Sequence, residues 1–234
     1  MANGNNPFGL LPLTSATGSG SNFEMVYAPI AYNDTTKIFR GDPVKRLNTG
    51  FIAQWTAGTN VGNLAGIFWG CHYLSTSQGV PVFSQYWPGA DVALSGQPTL
   101  YASIIPINTA GPTKFYAQTD ATGLGLLDIG ANVDVVVGTG NTANGQSTTY
   151  IDQSTLNTTN TLPFRVVDLY GSQAMGTFGG GGVFGIFPGA STSGVANPYS
   201  GIGATYASAG TSPTAIAYNW VIVQANTNST GTGI

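Results

Sequence analysis

The chain has 234 residues, of which only 6% are charged, and nine acids against six bases give a net charge of -3. Soluble domains usually carry roughly 25% charged residues, and the bases Lys37, Arg40, Lys45, Arg46, Lys114 and Arg165 form no run, which argues against nucleic acid as a partner. The same composition argues against disorder, because 42% hydrophobic and 11% aromatic residues can fill a core.

In chain order, residues 1–22 are rich in Gly, Ser and Asn and hold Phe8, Leu10, Leu11 and Leu13 as apolar anchors, which predicts an extended N-terminal arm ordered by what it lies on. The start MANGNNPFGLLP lacks the basic and apolar regions of a secretory signal, and no run approaches the length of a membrane span. Residues 23–170 read as a β domain. Strands are predicted at Phe51 to Trp55, Leu64 to Tyr73, Pro81 to Phe83, Leu100 to Ile107, Lys114 to Gln118, Val133 to Val137, Thr148 to Ile151 and Leu162 to Leu169, each rich in β-branched or aromatic residues and closed by a turn signal. Asp120 to Ile129 has some helical character, but Gly123 and Gly125 lie inside it, so turns are expected. Residues 171–213 form a Gly-rich insertion. Residues 214–226 contain a closing strand, Tyr218 to Gln224, and residues 227–234 are a tail. From Leu169 to Ile234 no Asp, Glu, Lys, Arg or His occurs. Regular short strands with frequent turn signals predict an all-β fold, a jelly-roll-like sandwich or barrel.

Catalytic patterns are not found. His72 is the only histidine, and its strand neighbour Cys71 must point to the opposite face, so the two cannot form a thiolate pair. A lone cysteine supplies neither a disulfide nor a zinc cluster. Six of the eight Asp residues (Asp34, Asp42, Asp91, Asp120, Asp128 and Asp152) sit at predicted turns, where Asp caps backbone amides. Asp134 and Asp168 lie in strand-like runs, and Asp168 is expected to pair with Arg165 or with a neighbouring strand. The glycines of VVVGTGNTANG are not followed by a third at dinucleotide-binding spacing and read as a hairpin loop. The expectation is no enzyme, metal or cofactor. Tyr86, Trp87 and Tyr101 suit core packing or, in a second class of reading, a sugar or peptide groove.

Several segments in order resemble a family of tailed-bacteriophage head decoration, or capsid cement, proteins: NPFGLLP (Asn6 to Pro12), IFRGDPVKR (Ile38 to Arg46), GNLAGIFWGCHY (Gly62 to Tyr73), TKFYAQTD (Thr113 to Asp120), the long stretch Ile129 to Tyr170, and YNWVIVQAN (Tyr218 to Asn226). The Gly-rich segment 171–213 departs from that pattern as an insertion. The resemblance implies a virion protein assembled in a host cytoplasm and bound to the outer surface of a capsid. It implies the major capsid protein and further copies of itself as partners, a homodimer preferred over a trimer, with no nucleic acid or membrane. Expected contact residues are Phe8 and Leu10 in the arm and Phe178, Phe184 and Phe187 in the insertion. The alternative is a carbohydrate-binding or adhesin module.

Overall fold

A computed structural model describes residues 4–13, 25–59, 61–93, 100–107, 114–170 and 217–226. These residues form antiparallel β-sheets with almost no helix. The strands are β1 (Leu11–Pro12), β2 (Val26–Pro29), β3 (Ile38–Phe39), β4 (Pro43–Arg46), β5 (Ile52–Gln54), β6 (Leu64–Leu74), β7 (Pro81–Ser84), β8 (Tyr86–Trp87), β9 (Tyr101–Pro106), β10 (Lys114–Gln118), β11 (Asn132–Val136), β12 (Tyr150–Asn157), β13 (Phe164–Leu169) and β14 (Trp220–Ala225). The segment Asp120 to Ile129 is turns with one short 3-10 stretch, Leu126–Asp128.

One strand order occurs twice. The first sheet runs β2-β9-β6-β4-β5, and a parallel bridge between Ile30 and Ile52 joins its two ends. The second runs β10-β14-β13-β11-β12, and a parallel bridge between Thr119 and Ile151 joins its ends likewise. Numbered within each unit, both read 1-5-4-2-3. Most pairing registers agree, although β11–β12 and β4–β6 each carry an irregularity that their counterparts lack. Tyr27 opposite Ser103 corresponds to Tyr116 opposite Ile222, Pro29 opposite Tyr101 to Gln118 opposite Trp220, and Arg46 opposite Ile52 to Val135 opposite Ile151. Both fourth strands carry a bulge at the matching place, between Phe68 and Gly70 and between Val166 and Asp168. A bulge adds one residue without exchanging the faces beyond it, so Phe68 and Cys71 both point inward, as do Val166 and Leu169. The turn before the second strand of each unit has a glycine with positive φ, Gly41 at 100° and Gly130 at 95°, a conformation that only glycine adopts cheaply.

The inward positions alternate as a half-buried strand requires. Ala28, Val44, Ile52, Phe68, Cys71, Ala102 and Ile104 fill the first unit, and Trp87 and Ile38 from the small β3-β8 sheet close it. Ala117, Val133, Ile151, Val166, Leu169, Val221 and Val223 occupy the matching positions of the second. The units pack unequally. Trp55, Ile67 and Ile105, on the outer face of the first unit, are buried in the core of the second. Their counterparts Ser154, Arg165 and Gln224 are polar, and the first two are exposed.

Buried carboxylates tie the units together. Asp42, with no exposed surface, accepts from the Phe39 amide (2.8 Å) and Gln54 Nε2 (3.2 Å) of the first unit, and from the Ser147 and Thr149 hydroxyls of the second. Asp134 accepts from Trp55 Nε1 (3.1 Å) and the Gly58 amide (3.0 Å) across the same junction. The N-terminal segment passes beside Asp42. The Gly9 amide donates to the Thr149 carbonyl and the Leu10 amide to the Gly41 carbonyl. A Cβ on Gly9 would stand 2.8 Å from Ser147 Cβ, too close for any other residue. Beyond it, β1 pairs with β10, placing Leu11 opposite Tyr116.

Residues 4–13 lie along the β domain, with β1 paired to β10. Thr148 to Ile151 marks only the start of a strand that continues to Asn157.

Burial raises the Asp42 pKa above its ordinary value of 3.8, against the hydrogen bonds that lower it. The folded protein then takes up this proton at higher pH than the unfolded chain. Asp42 favours folding most below 3.8, and that contribution is lost as pH rises through the raised value. Asp42→Asn is neutral at every pH, and the hydroxyls of Ser147 and Thr149 can accept from its amide. Denaturant unfolding from pH 7 to pH 3 is expected to show wild type gaining stability relative to Asp42→Asn as pH falls. Asp42→Ala, which strands the donors, is expected to cost about 3 kcal/mol near neutral pH and more as pH falls, since it too is non-titrating.

Candidate interaction surface

The Asp side chains are committed to structure. Asp34 accepts from the Thr36 amide, Asp91 from Ser75 Oγ and the Ser77 amide, Asp120 from the Thr122, Gly123 and Gln153 amides, Asp128 from the Gly125 amide, and Asp152 from Ser154. Asp34, Asp120 and Asp128 take the turn roles read from their positions, Asp91 instead holds a segment 14 to 16 residues away, and Asp152 lies within β12, not at a turn. Asp168 accepts from the Leu169 amide, whereas the Arg165 Nε donates to the Gly130 carbonyl, so the suggested pairing of the two is not made by these groups. Cys71 is buried, and desolvation pushes its thiol up to about 12, which leaves it protonated at neutral pH. Among the described residues no group of three or more His, Cys, Asp or Glu could hold a metal ion, and no helix is long and apolar enough to cross a membrane.

What the fold does present is aromatic. On the outer face of the first unit, His72 lies opposite Tyr101 on one side and opposite Phe83 on the other. The His72 ring stacks on Phe83 at 4.2 Å and leans on Tyr101 at 5.4 Å. Tyr27 meets Tyr101 edge-on at 4.6 Å. The four rings form a row across β2, β9, β6 and β7. Phe83 is 79% exposed and Tyr27 68%. This row continues the outer face that, farther along β6 and β9, buries Ile67 and Ile105 against the second unit. The bulge at Trp69, over whose ring the Arg40 guanidinium sits at 3.9 Å, lies between the covered part and the open part.

The second unit repeats the row. Tyr116, Trp220 and Tyr170 occupy the positions of Tyr27, Tyr101 and His72, with Tyr116 stacked on Tyr170 at 5.5 Å. Here a fourth ring comes from the N-terminal segment. Phe8 contacts Tyr116 at 5.6 Å and meets Trp220 edge-on at 5.1 Å.

The residues expected to touch partners divide accordingly. Phe8 is half-buried on an aromatic platform of its own chain. Leu10 has no exposed surface and belongs to the core, so its side chain is not available to a partner. Sequence reasoning missed this because an apolar residue between glycines and prolines looks the same whether it anchors in cis or in trans. Phe178, Phe184 and Phe187 lie outside the described residues. Of the aromatics weighed for a groove, Trp87 is wholly buried and donates its indole N–H to the Asp34 carbonyl, and Tyr86 stacks on Phe39. Only Tyr101 belongs to the open row. Its companions Tyr27, His72 and Phe83 stand at matching register on successive strands, a relation that needs the pairing to be known.

No protein family, curated protein or solved structure was found to match the chain.

The surface and core assignments separate in unfolding experiments. Tyr27→Ala and Phe83→Ala are each expected to cost less than about 1 kcal/mol, whereas Leu10→Ala is expected to cost about 2 to 5 kcal/mol and Trp87→Ala about 3 to 5. Equilibrium denaturation in urea measures all four.

Proposed function

We propose that this chain is a non-catalytic structural virion protein that binds the outer surface of a phage capsid as a cement or decoration protein, bridging capsomers. The observation that carries the proposal is the open row Tyr27–Tyr101–His72–Phe83, a large apolar surface held on paired strands. Exposed apolar patches rimmed by polar residues mark protein interaction sites. The ordered segments that resemble the decoration family support the same reading, as does a composition with little charge to repel neighbouring copies. The partners are the major capsid protein and further copies of the chain, as a homodimer. Many modest contacts repeated over a shell make detachment rare, and binding that favours the mature shell stabilises it. The jelly-roll-like form expected of such proteins belongs to this proposal, and the two end-bridged five-stranded sheets favour its barrel variant. Particles lacking this protein are expected to lose DNA at lower temperature, and on milder osmotic shock, than complete ones. Equal resistance of the two particle types would refute the cement role.

The same rings favour one second reading, a carbohydrate-binding or adhesin module, because exposed aromatic faces also stack on sugars. The residue that tests it is Tyr27, since Trp87 is core. Glycan-array binding by the isolated protein that disappears in Tyr27→Ala would favour this reading over cement.

A further inference from the structure

The two units are alike in strand order, register, bulge and aromatic row, but one strand edge is treated differently. In the second unit the free edge of β10 is covered by β1, which places Leu11 and Pro12 opposite Tyr116 and Phe115, and the Leu13 amide donates to the Lys114 carbonyl. Phe8, three residues ahead of the paired Leu11, sets its ring on Tyr116 and Trp220. The corresponding edge in the first unit is β2. Among the described residues, nothing pairs with its outer side before the bridge at Ile30. Burial reflects this difference. Phe115 has no exposed surface, whereas its counterpart Val26 is 38% exposed, and Met25 before it is 52% exposed.

Proteins usually protect edges of this kind with a charge, a proline, a bulge, a very short strand or a covering segment, and here only the short length of β2 and Pro29 at its end do so. Met25 to Pro29 carries no charge, whereas β10 begins with Lys114. An open edge beside an open aromatic row is the arrangement used for strand addition, in which main-chain bonds supply affinity and side-chain pockets supply selectivity.

We infer that the outer edge of β2 and the Tyr27–Tyr101–His72 platform form a docking site for an extended, uncharged strand of a partner protein. That strand carries an aromatic residue three positions ahead of its paired residues. The occupant's chemistry is read from the second unit, where the chain fills the equivalent site with its own Phe8-to-Pro12 segment. Two differences suit a separate chain better than a permanent cover. Gln118, which clamps the N-terminal segment by accepting from the Asn6 amide and donating to the Gly4 carbonyl, is replaced by Pro29 in the first unit, so that clamp is absent. Phe83 also extends the first platform beyond His72, offering a longer aromatic face than the second unit has there. The inference deepens the structural proposal above and rests on it only in taking the partner to be a virion protein.

The experiment uses the full chain and a synthetic peptide of residues 5–13, NNPFGLLPL, as the probe, with binding followed by calorimetry. Saturable binding is expected, weakened at least tenfold by Tyr27→Ala in the protein and by Phe8→Ala in the peptide. A photo-crosslinking form of the peptide is expected to attach to β2. Attachment to β10, meaning exchange into the second unit, overturns the assignment, as does the absence of saturable binding. Amides of β2 already protected from hydrogen exchange in the free chain would show the edge covered in cis and overturn it too. Self-association lost in Tyr27→Ala would reassign the site to a second copy, and sugar binding lost in Tyr27→Ala without peptide binding would reassign it to a glycan. None of these measurements needs virions, so the site can fail while the cement reading stands, or the reverse.

Discussion

A carboxylate with no exposed surface must be satisfied by the donors around it, and Asp42 draws two of them from positions 105 and 107 residues away in the chain. The geometry of three segments depends on this. The turn from β3 to β4 is closed by the Phe39 amide, the connection from β11 to β12 is held by Ser147 and Thr149, and the N-terminal segment threads between them at Gly9. Unpaired, any of these buried groups would cost more than an ordinary hydrogen bond contributes. The junction's groups satisfy one another, and this ties the two units together. Asp134, reaching back to Trp55 and Gly58, repeats the device from the opposite side.

The contact between the units divides a single sheet face into a buried part and an open part. On the outer side of β6 and β9, Ile67 and Ile105 are covered by the second unit while His72 and Tyr101 are not. The bulge between Phe68 and Gly70 keeps both parts on the same side of the sheet despite the extra residue. Without it, the register would send His72 inward and Cys71 outward, because a strand changes face with each residue. The open rings thus follow from the same alternation that fills the core.

Much of this was legible in the sequence. The all-β class followed from short β-rich runs separated by turn signals, and Lys114 to Gln118 was placed residue for residue. The four-residue strands β2 and β4 were not among the expected strands, because the place of so short a segment in a sheet depends on neighbours far away in sequence. The repeat was hidden for a related reason. Its closest local matches, Tyr27-Ala28 with Tyr116-Ala117 and Ile52-Ala53-Gln54 with Ile151-Asp152-Gln153, are too short to notice until pairing registers align them. Asp34 caps a turn as read, whereas Asp152 lies within β12, and nothing local distinguishes Asp42, which also spans two units, from Asp34, which only caps its own turn.

The unequal packing of the two units sets a limit on growth. Contact between them is head to tail: one unit offers Trp55, Ile67 and Ile105, and the other receives them. A contact of this type can in principle continue indefinitely, because each added unit brings a fresh donor face. In the second unit that face has become Ser154, Arg165 and Gln224, and a charged guanidinium does not enter an apolar core without a partner. The described residues hold two such units, and the polar face of the second resembles the outer face of a terminal repeat in a solenoid. Any larger assembly of this chain would have to use a surface other than the one that joins its halves.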